Sequence, residues 1–586
     1  MRHDHWTTPP GESRSPRRVA KTFIGSFLVG VLSIGIAWAG SGLVPIGADT
    51  PTETKTDPAT SFVGVGSTTE EGSSTTSFSP ADLEPGQILA GASKISLFPR
   101  PEDYRDDFPD AAWEQDQTEC ESGNAGSATH VADFRVRWGE NPNCLYMGGY
   151  SIGPVNSITT WDEEYGLWVR SVAMQDAQGD ATVLTLIDAV YWEAYYNSLC
   201  PNDPCGFLDL ADQLAEETGL KPENFVFFST HSHTAMDFIG GWGAVPDWYM
   251  QQATDSLKDA VRAALGSMEP AVLEAGEAVT RQWNNERRKH YHAAEDDTLS
   301  WFRLVDADGQ AQSAECPGTG GGNEGRDKTN SACEPAAPGR AIATVGAYAA
   351  HPTTEDAEGG EGDADFPAVF AKRVEEAFGG TGMFLQTGLG NMVTEHVRDE
   401  LVEKVDVGNA LASAIPAIGG GSQITDTDIR VGRTAWDQPV TNIPLGSLGV
   451  GGFFDRTFNQ APASVNIGDS EYPHKKCNSA SPISVETTVS AARIGELVIT
   501  GGPGELFANL TNTIEEANAG GITLALGLAN DGLGYIIQSF ETDHVGRQGI
   551  GFVNGPLSEY EDAYSIDHCI GDAALEHTLE LLNQLR

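Results

Sequence analysis

The sequence predicts a layered α/β fold built from mixed sheets. Short apolar runs alternate along the chain with helical patterns, which is typical of sheets covered by helices. Several apolar runs end abruptly in a loop of glycine and other small residues that carries one polar side chain. Ligands in α/β proteins bind where strands end, so the same pattern predicts a functional site at the strand ends.

The N-terminus has the pattern of an export signal. An apolar run over residues 23–38 follows a basic stretch and ends near an Ala-Trp-Ala sequence like a signal-peptidase site. An uncleaved anchor is the alternative, although the run is short for a membrane span. We therefore expect a secreted or cell-surface protein in which residues 1–39 are a signal peptide or an N-terminal membrane segment.

The composition divides the remaining chain into two parts. Residues 40–86 are rich in Thr, Ser, Gly and Pro and cannot bury enough apolar surface to fold, which predicts a disordered linker. Residues 87–586 then form the folded domain. The net charge of −49 and the pI of about 4.4 argue against nucleic acid as a partner.

The cysteine content fits an exported protein. Eight cysteines allow up to four disulfides, with 105 possible connectivities. Proximity in the sequence favours three pairs and leaves a fourth: Cys120–Cys144, Cys200–Cys205, Cys316–Cys333 and Cys477–Cys569.

Regular elements begin near residue 167. Strands over 167–174 and 181–187 flank a Gln-Gly-Asp turn, and a helical pattern over 208–218 is closed by Gly219. Further apolar runs predict strands, and further helical patterns predict helices. The strands lie at 226–228, 341–350, 382–386, 497–500 and 522–526, and the helices at about 248–265, at 366–378, from Glu505 to near 519, and at 572–585.

The candidate metal ligands lie at the ends of these predicted strands. His231 and His233 follow strand 226–228, and alternation along an extended segment would point both imidazoles the same way. His351, Glu505 and Tyr535 each follow another apolar run and a small-residue loop. Two histidines and a carboxylate form a frequent zinc set with an open position for water, and Tyr535 is a further oxygen ligand or a transition-state donor.

Each of these residues also has an ordinary structural interpretation. His351 could be a half-buried histidine with satisfied hydrogen bonds, and Tyr535 a core aromatic residue. Glu505 precedes a predicted helix, where the helix dipole favours a carboxylate in any case. The shared position at strand ends favours the functional interpretation for all of them together.

The chain from about residue 88 to its end resembles the neutral/alkaline (non-lysosomal) ceramidases, zinc amidases that cleave the N-acyl bond of ceramide. The order and spacing of seven short blocks carry this resemblance. These blocks are Ala90-Gly-Ala-Ser-Lys-Ile, Met147-Gly-Gly-Tyr, Gly166-Leu-Trp-Val-Arg, Ser229-Thr-His-Ser-His, Ala350-His-Pro-Thr, Gly502-Pro-Gly-Glu and Gly527-Leu-Ala-Asn with Tyr535-Ile-Ile. The resemblance implies that His231, His351, Glu505 and Tyr535 hold one zinc ion per chain and that His233 acts in catalysis or contacts substrate.

The chain also departs from the family pattern. The family's nucleophile-bearing segment resembles Gly-Asp-Val-Ser-Pro, whereas this chain has Gly390-Asn-Met-Val-Thr, which places Val393 at the serine position. Thr394 could act as a catalytic residue only if the loop shifted by one residue. Because 51 residues follow Tyr535 (586 minus 535), we expect the family's C-terminal immunoglobulin-like domain to be missing.

An acidic loop follows His351 and could bind Ca²⁺ through carboxylate oxygens. Its carboxylates are Glu355, Asp356, Glu358, Glu361, Asp363 and Asp365. They lack the ordered spacing of a calcium loop, which favours a solvated acidic loop instead.

Two functional hypotheses result. The first is an exported zinc-dependent hydrolase of linear amides, N-acyl sphingoid lipids above all, that uses metal-activated water. The alternative, motivated by Val393, is a catalytically degenerate, ceramidase-like extracellular protein that binds lipid. Either hypothesis predicts a lipid-like partner and allows peripheral membrane contact, and the oligomeric state stays open.

Overall fold

The computed structural model describes residues 79–80, 83–113, 120, 143–149, 156–243, 245–288, 294–307, 340–355, 360–394, 402–452, 454–468, 477–542 and 560–586. They belong to one compact unit, Ser77–Arg586. The predicted signal segment, the linker up to residue 78, the pair Cys316–Cys333, and the loop residues Asp356 and Glu358 lie outside the described residues.

The largest sheet is mixed and has nine strands among the described residues. They are β1 (Ile88–Ser96), β2 (Trp168–Gln175), β3 (Ala181–Ile187), β4 (Phe225–Ser229), β5 (Glu269–Val279), β6 (Thr298–Asp306), β7 (Ala341–Tyr348), β8 (Thr381–Gln386) and β9 (Ser422–Ile424). Eight follow the order β8–β7–β6–β5–β1–β2–β3–β4, and β9 pairs with β5. The pairs β3–β4 and β7–β8 are parallel, and each lies at one end of this order.

The two edges of this sheet meet, which requires the sheet to be strongly curved. The side chain of Gln386, at the end of β8, donates to the carbonyl of Thr230, directly after β4, at 3.1 Å. The backbone N–H of Gly527 donates to Gln386 O at 2.9 Å, and that of Asn530 donates to Phe227 O at 2.8 Å. The ends of β4, β7 and β8 therefore lie together, although β4 and β8 are the outermost strands in the hydrogen-bonding order.

A second sheet packs against the first. Its strands, in spatial as in chain order, are β10 (Ile429–Pro439), β11 (Ser484–Ile494), β12 (Leu497–Gly501) and β13 (Ile522–Leu526). One apolar cluster joins the two sheets, with Leu184 and Phe302 from the first and Ile499 and Leu524 from the second. The shared core between the sheets holds β12 and β13, and the loops that follow them, against the ends of the first sheet.

Helices cover the outer faces of both sheets. They are α1 (Phe207–Thr218), α2 (Asp247–Gly266), α3 (Asp365–Phe378), α4 (Lys404–Ala414), α5 (Ile443–Val450), α6 (Ala508–Ala517), α7 (Tyr560–Ala563) and α8 (Ile570–Gln584). Helices α1 to α4 bury apolar residues against the first sheet, and α6 and α8 bury theirs against the second. The order of layers is therefore helix, sheet, sheet, helix, an α/β architecture with mixed sheets.

Short two-stranded ladders connect the loops around these layers. They pair Leu145–Tyr146 with Ser157–Ile158, Thr160–Trp161 with Glu361–Gly362, Asn285–Glu286 with Met392–Val393, Ala463–Ile467 with Cys477–Ser481, and Glu505–Leu506 with Tyr535–Ile536. Single-turn 3-10 helices cover Pro101–Tyr104 and Pro222–Asn224.

Three of the expected cysteine pairs form disulfides in the structure, namely Cys120–Cys144, Cys200–Cys205 and Cys477–Cys569. Disulfides of this kind are typical of proteins outside the reducing cytoplasm. In the part of the chain that the structure describes, no helix has the length and apolar character that a membrane span requires.

Candidate metal centre

His231 takes its position from the end of β4. The strand ends at Ser229, and His231 has a φ of +61°, a conformation that non-glycine residues seldom adopt. Its backbone N–H donates to Ala189 O at 2.8 Å, so the segment after β4 follows the segment after β3. The alternation expected along an extended segment is therefore interrupted, and this turn brings the rings of His231 and His233 to 5.0 Å between centroids.

His351 and Glu505 approach from two other strand ends. The backbone N–H of His351, after β7, donates to Met392 O at 3.0 Å. The backbone N–H of Glu505 donates to Gly534 O at 2.8 Å, which starts the ladder with Tyr535. A Cβ at Gly504 would lie 2.3 Å from that same carbonyl oxygen, so this ladder requires glycine before Glu505.

Four side chains converge at one point. The Oε2 atom of Glu505 lies 3.0 Å from Nε2 of His351 and 3.5 Å from Nε2 of His231. The Nε2 atoms of His231 and His233 are 3.4 Å apart. Possible ligand atoms of the three histidines all lie within 4.8 Å of one another, a spacing that one metal ion can bridge.

The hydrogen bonds of the histidines fix which nitrogen faces the centre. Nδ1 of His231 lies 3.0 Å from Val190 O, and Nδ1 of His351 lies 2.7 Å from Leu389 O. A carbonyl oxygen can only accept, so each Nδ1 carries the proton and each Nε2 presents a lone pair. These lone pairs face a carboxylate oxygen, and among the described residues Oε2 of Glu505 has no hydrogen-bond donor. A cation fits this set of converging acceptors.

The pKa shifts favour the same protonation states. Burial lowers the pKa of His231 to about 4, and it holds the pKa of His233 well below the usual value. Burial by itself raises the pKa of Glu505, but the two histidines and a hydroxyl group outweigh it and lower this pKa to about 2. Near neutral pH the imidazoles of His231 and His233 are therefore neutral and Glu505 is ionised, the forms that bind a metal.

Tyr535 and Thr394 lie beside this group in different roles. The backbone of Tyr535 pairs with that of Glu505, and its hydroxyl accepts a hydrogen bond of 2.8 Å from Arg287. The hydroxyl of Thr394 donates to the carbonyl of His351 at 2.9 Å, so it supports the backbone of a candidate ligand. Val393 is buried and forms a backbone bridge with His351.

Two residues of the site were missed by the sequence analysis. The hydroxyl of Tyr191 donates to Oε1 of Glu505. Tyr191 follows β3, so its position after a strand end is the signal by which it could have been found. Arg287 contacts Tyr535, Gly390 O and Glu561, the last at 2.7 Å. It lies in a polar segment with a second arginine, and no periodic pattern distinguishes it.

An apolar cluster adjoins the histidines, because the Tyr191 ring contacts His231 and the carbonyls of Val190 and Leu389 lie beside the imidazoles. The cluster consists of Val190, Tyr191, Ile239, Leu389 and Leu528, with Trp242 half-buried against it. His231, His351 and Glu505 are buried, whereas His233 is half-buried. The site therefore combines a polar centre with apolar walls and opens towards solvent on the side of His233.

Two carboxylates of the acidic loop after His351 have hydrogen-bond or ion-pair partners within the protein. Asp365 accepts from the backbone N–H groups of Thr354 and Glu355 at 2.9 and 3.0 Å. Asp363 forms an ion pair with Lys404. Among the described residues these carboxylates do not form a candidate metal group.

A second group with metal-ligand spacing is Cys477, His568 and Cys569. Its two cysteines form a disulfide, so their thiolates are not available as ligands.

Comparison with known proteins shows the fold. No protein-family model matches the chain, and no curated protein matches it by sequence. The chain is similar in structure to neutral ceramidase from Pseudomonas aeruginosa, with a TM-score of 0.54 and 14% identity over 85% of this chain and 74% of that one. It is similar to a ceramidase complexed with C2 at the same TM-score and identity, over 86% of this chain and 76% of that one. The chain thus has a ceramidase-like fold.

Proposed function

We infer that the protein is an exported zinc-dependent amidohydrolase of linear amides, with N-acyl sphingoid (ceramide-like) lipids as the favoured substrates. One observation carries this inference. His231 and His351 direct unprotonated nitrogens, and Glu505 a carboxylate oxygen, at one point beside His233 inside a ceramidase-like fold. A ceramidase as structural neighbour supports the hydrolase class at the level of fold.

His231, His351 and Glu505 would hold the metal, with His233 or Tyr535 beside them. A bound zinc ion would polarise the substrate carbonyl and lower the pKa of a water molecule. The Nδ1–carbonyl hydrogen bonds of His231 and His351 fix the ring orientations that this role needs. In this proposal the half-buried His233 would exchange a proton with the reacting groups at the open side of the site.

Tyr535 and Arg287 would stabilise negative charge on the substrate oxygen. Arg287 donates a hydrogen bond of 2.8 Å to the Tyr535 hydroxyl, and the guanidinium of Arg287 is largely buried. Val393 has no nucleophilic atom, and the Thr394 hydroxyl is engaged by His351 O. Water is therefore the nucleophile in this proposal. The apolar residues around the histidines would receive the acyl chain of a lipid-like amide.

Val393 also motivates a second candidate function, a metal-binding protein that binds such lipids without turnover. The two candidates share the metal and differ in chemistry. If Val393→Ser created activity where the native protein has none, the degenerate candidate would be favoured.

Metal analysis tests both candidates first. The purified protein should contain one equivalent of zinc, and both Glu505→Ala and His231→Ala should lose it. His577→Ala is the matched control, because His577 lies on α8 against Trp436 and should leave the metal content unchanged. A folded native protein without tightly bound metal would rule out the zinc mechanism.

The second experiment measures turnover of short-chain N-acyl sphingosines by release of the amine. His351→Ala should abolish both metal content and turnover. Full zinc occupancy without turnover of any N-acyl substrate would instead support the lipid-binding candidate.

A further inference from the structure

We propose that Tyr191 is a positioning residue of the metal centre, which holds the Glu505 carboxylate so that one oxygen alone faces the histidines. The inference rests on the proposed function, because the metal is the group that Glu505 would serve. It adds a residue that the sequence pattern of the family does not point to.

The two oxygens of Glu505 have different partners. Oε1 accepts the hydroxyl of Tyr191, whereas Oε2 lies 3.0 Å from His351 Nε2 and 3.5 Å from His231 Nε2. A partial rotation of the carboxylate would move Oε1 away from the buried Tyr191 hydroxyl and lose this hydrogen bond. Tyr191 therefore keeps Oε2 as the oxygen that faces the histidines, and Oε2 is the atom through which Glu505 would hold a metal.

Tyr191 is itself fixed on several sides. Its side chain is buried, with 6% of its surface exposed, and its backbone carbonyl accepts from Phe238 N–H at 3.4 Å. Its ring lies edge-on to the ring of His231 at 4.8 Å between centroids. The preceding carbonyl, Val190 O, accepts from Nδ1 of His231. Two adjacent residues thus orient two candidate ligands that are 274 positions apart (505 minus 231).

A purely structural role would look different in experiment. A core tyrosine that only satisfies its hydroxyl would affect stability when changed to phenylalanine, but not the affinity of the protein for metal. Tyr249 is such a residue, because it is fully buried on α2 and its hydroxyl donates to Leu97 O at 2.7 Å. Tyr249→Phe is therefore the matched control for Tyr191→Phe.

Zinc affinity of the full-length protein, measured by competition with a chromophoric chelator, tests the proposal. Tyr191→Phe should bind zinc about 10- to 100-fold more weakly, as is typical when a residue that orients a ligand is lost. The absorption spectrum of the cobalt-substituted protein should change as well, because Oε1 becomes free to coordinate. Tyr249→Phe should alter neither. Equal zinc affinity in the two variants would overturn the proposal.

Crystal structures of native protein and Tyr191→Phe separate this proposal from the proposed function. Loss of the hydroxyl should let the Glu505 carboxylate rotate, with or without a metal. If the native protein held no zinc, the proposed function would fail, and this structural comparison would still decide the role of Tyr191. An unchanged carboxylate in Tyr191→Phe would overturn that role.

Discussion

At the scale of single residues, the centre is an arrangement of acceptors that face one another. Nε2 of His231 and His351 and Oε2 of Glu505 all present lone pairs to the same small volume. Such groups repel each other unless a proton or a cation lies between them, and their burial adds a desolvation penalty. The protein maintains this arrangement by hydrogen bonds to the outer atoms of each side chain, which is typical of a site selected for binding rather than for stability.

The pKa of His231 predicts how the stability of the metal-free protein depends on pH. The folded-state pKa is about 4, below the unfolded value of 6.5, so the folded state binds fewer protons between these values. The contribution of His231 to the free energy of unfolding is complete above pH 6.5. It is lost as the pH falls towards 4, at about 1.4 kcal/mol per pH unit. Glu505 stabilises the folded state over a lower pH range, because its pKa is lowered to about 2 from an unfolded value of 4.5.

This prediction is best measured as a difference between two proteins. Carboxylates such as the half-buried Glu286 and the buried Asp365, whose pKa values burial raises to about 7, titrate in the same range in both proteins. Urea unfolding of zinc-free native protein and zinc-free His231→Gln between pH 6.5 and 4.5 should show that the native protein loses stability relative to the variant as the pH falls, by up to about 1.4 kcal/mol per pH unit. Parallel slopes would contradict the assigned state of His231.

Substitutions at Val393 and Thr394 distinguish water from a side-chain nucleophile. Val393→Ala should retain turnover, because valine contributes packing and no chemistry. Thr394→Val removes one buried hydrogen bond to His351 O, which costs about 1 kcal/mol and should reduce turnover no more than about tenfold. Complete loss of turnover in Thr394→Val with zinc content retained would show that Thr394 acts as the nucleophile instead.

At the scale of elements, glycine and polar loops at the ends of apolar runs made β2, β3, β4, β7 and β8 of the first sheet predictable, together with helices α1, α2 and α3. Strands β5, β6 and β9 of that sheet and helix α4 were not predicted. Strand β3 has the expected bounds, Ala181–Ile187, and α1, α2 and α3 begin one residue before the expected positions. The long strand β10 was not predicted. Its arginine, threonine and aspartate residues interrupt any apolar alternation in the sequence. Pairing with β11 along its whole length holds the strand in place.

The members of the site could be predicted, but part of the local geometry could not. Strand-end position grouped His231, His233 and His351, and the structure brings these three side chains close together. The left-handed turn at His231 depends on hydrogen bonds to the segment after β3 and leaves no signal in the sequence. Tyr191 and Arg287 reach the site through contacts between distant segments, which single-sequence patterns do not encode.

A substitution at Gly149 tests whether the loop around this residue supports His233. Gly149 has a φ of +83°, and a Cβ there would lie 2.3 Å from Nδ1 of His233. Gly149→Ala should displace the imidazole and lower turnover by at least about tenfold, since a displacement of 1 Å at a catalytic site can cost 100-fold. Turnover and zinc affinity of the purified variant give the readout.

Gly179 provides the matched control. It has a φ of +91° in the turn between β2 and β3, and no atom lies within 4 Å of a Cβ built there. Gly179→Ala should therefore lose about 1 kcal/mol of stability from backbone strain and keep normal turnover. If both variants lost turnover equally, backbone strain rather than contact with His233 would be the cause.

At the scale of the whole molecule, net charge predicts which lipid surfaces allow turnover. The chain carries a net charge of −49, which repels anionic vesicles and is screened over about 8 Å at physiological salt. Turnover of an N-acyl lipid should be slower in anionic than in zwitterionic vesicles, and added salt should narrow the difference. A water-soluble N-acyl substrate is the control. Equal rates in both kinds of vesicle at low salt would contradict the prediction.

The topology makes the centre depend on the complete fold. His231 follows one edge strand of the curved sheet, His351 follows a strand near the other edge, and Glu505 follows a strand of the second sheet. A metal ion bound by all three would join the two edges and the two sheets. Zinc should therefore stabilise the whole unit, by about 2.7 kcal/mol when free zinc exceeds its dissociation constant 100-fold.

Glu505→Gln tests whether the stabilisation by zinc arises at the candidate metal centre. The amide is nearly isosteric, and its NH₂ group can donate to an imidazole Nε2, so the metal-free variant should be at least as stable as metal-free native protein. It should gain much less stability from zinc, because the charged ligand is lost. Urea midpoints of both proteins, with zinc and with a chelator, provide the measurement. Equal stabilisation of both proteins by zinc would show that the ion acts at the acidic surface rather than at the converging histidines.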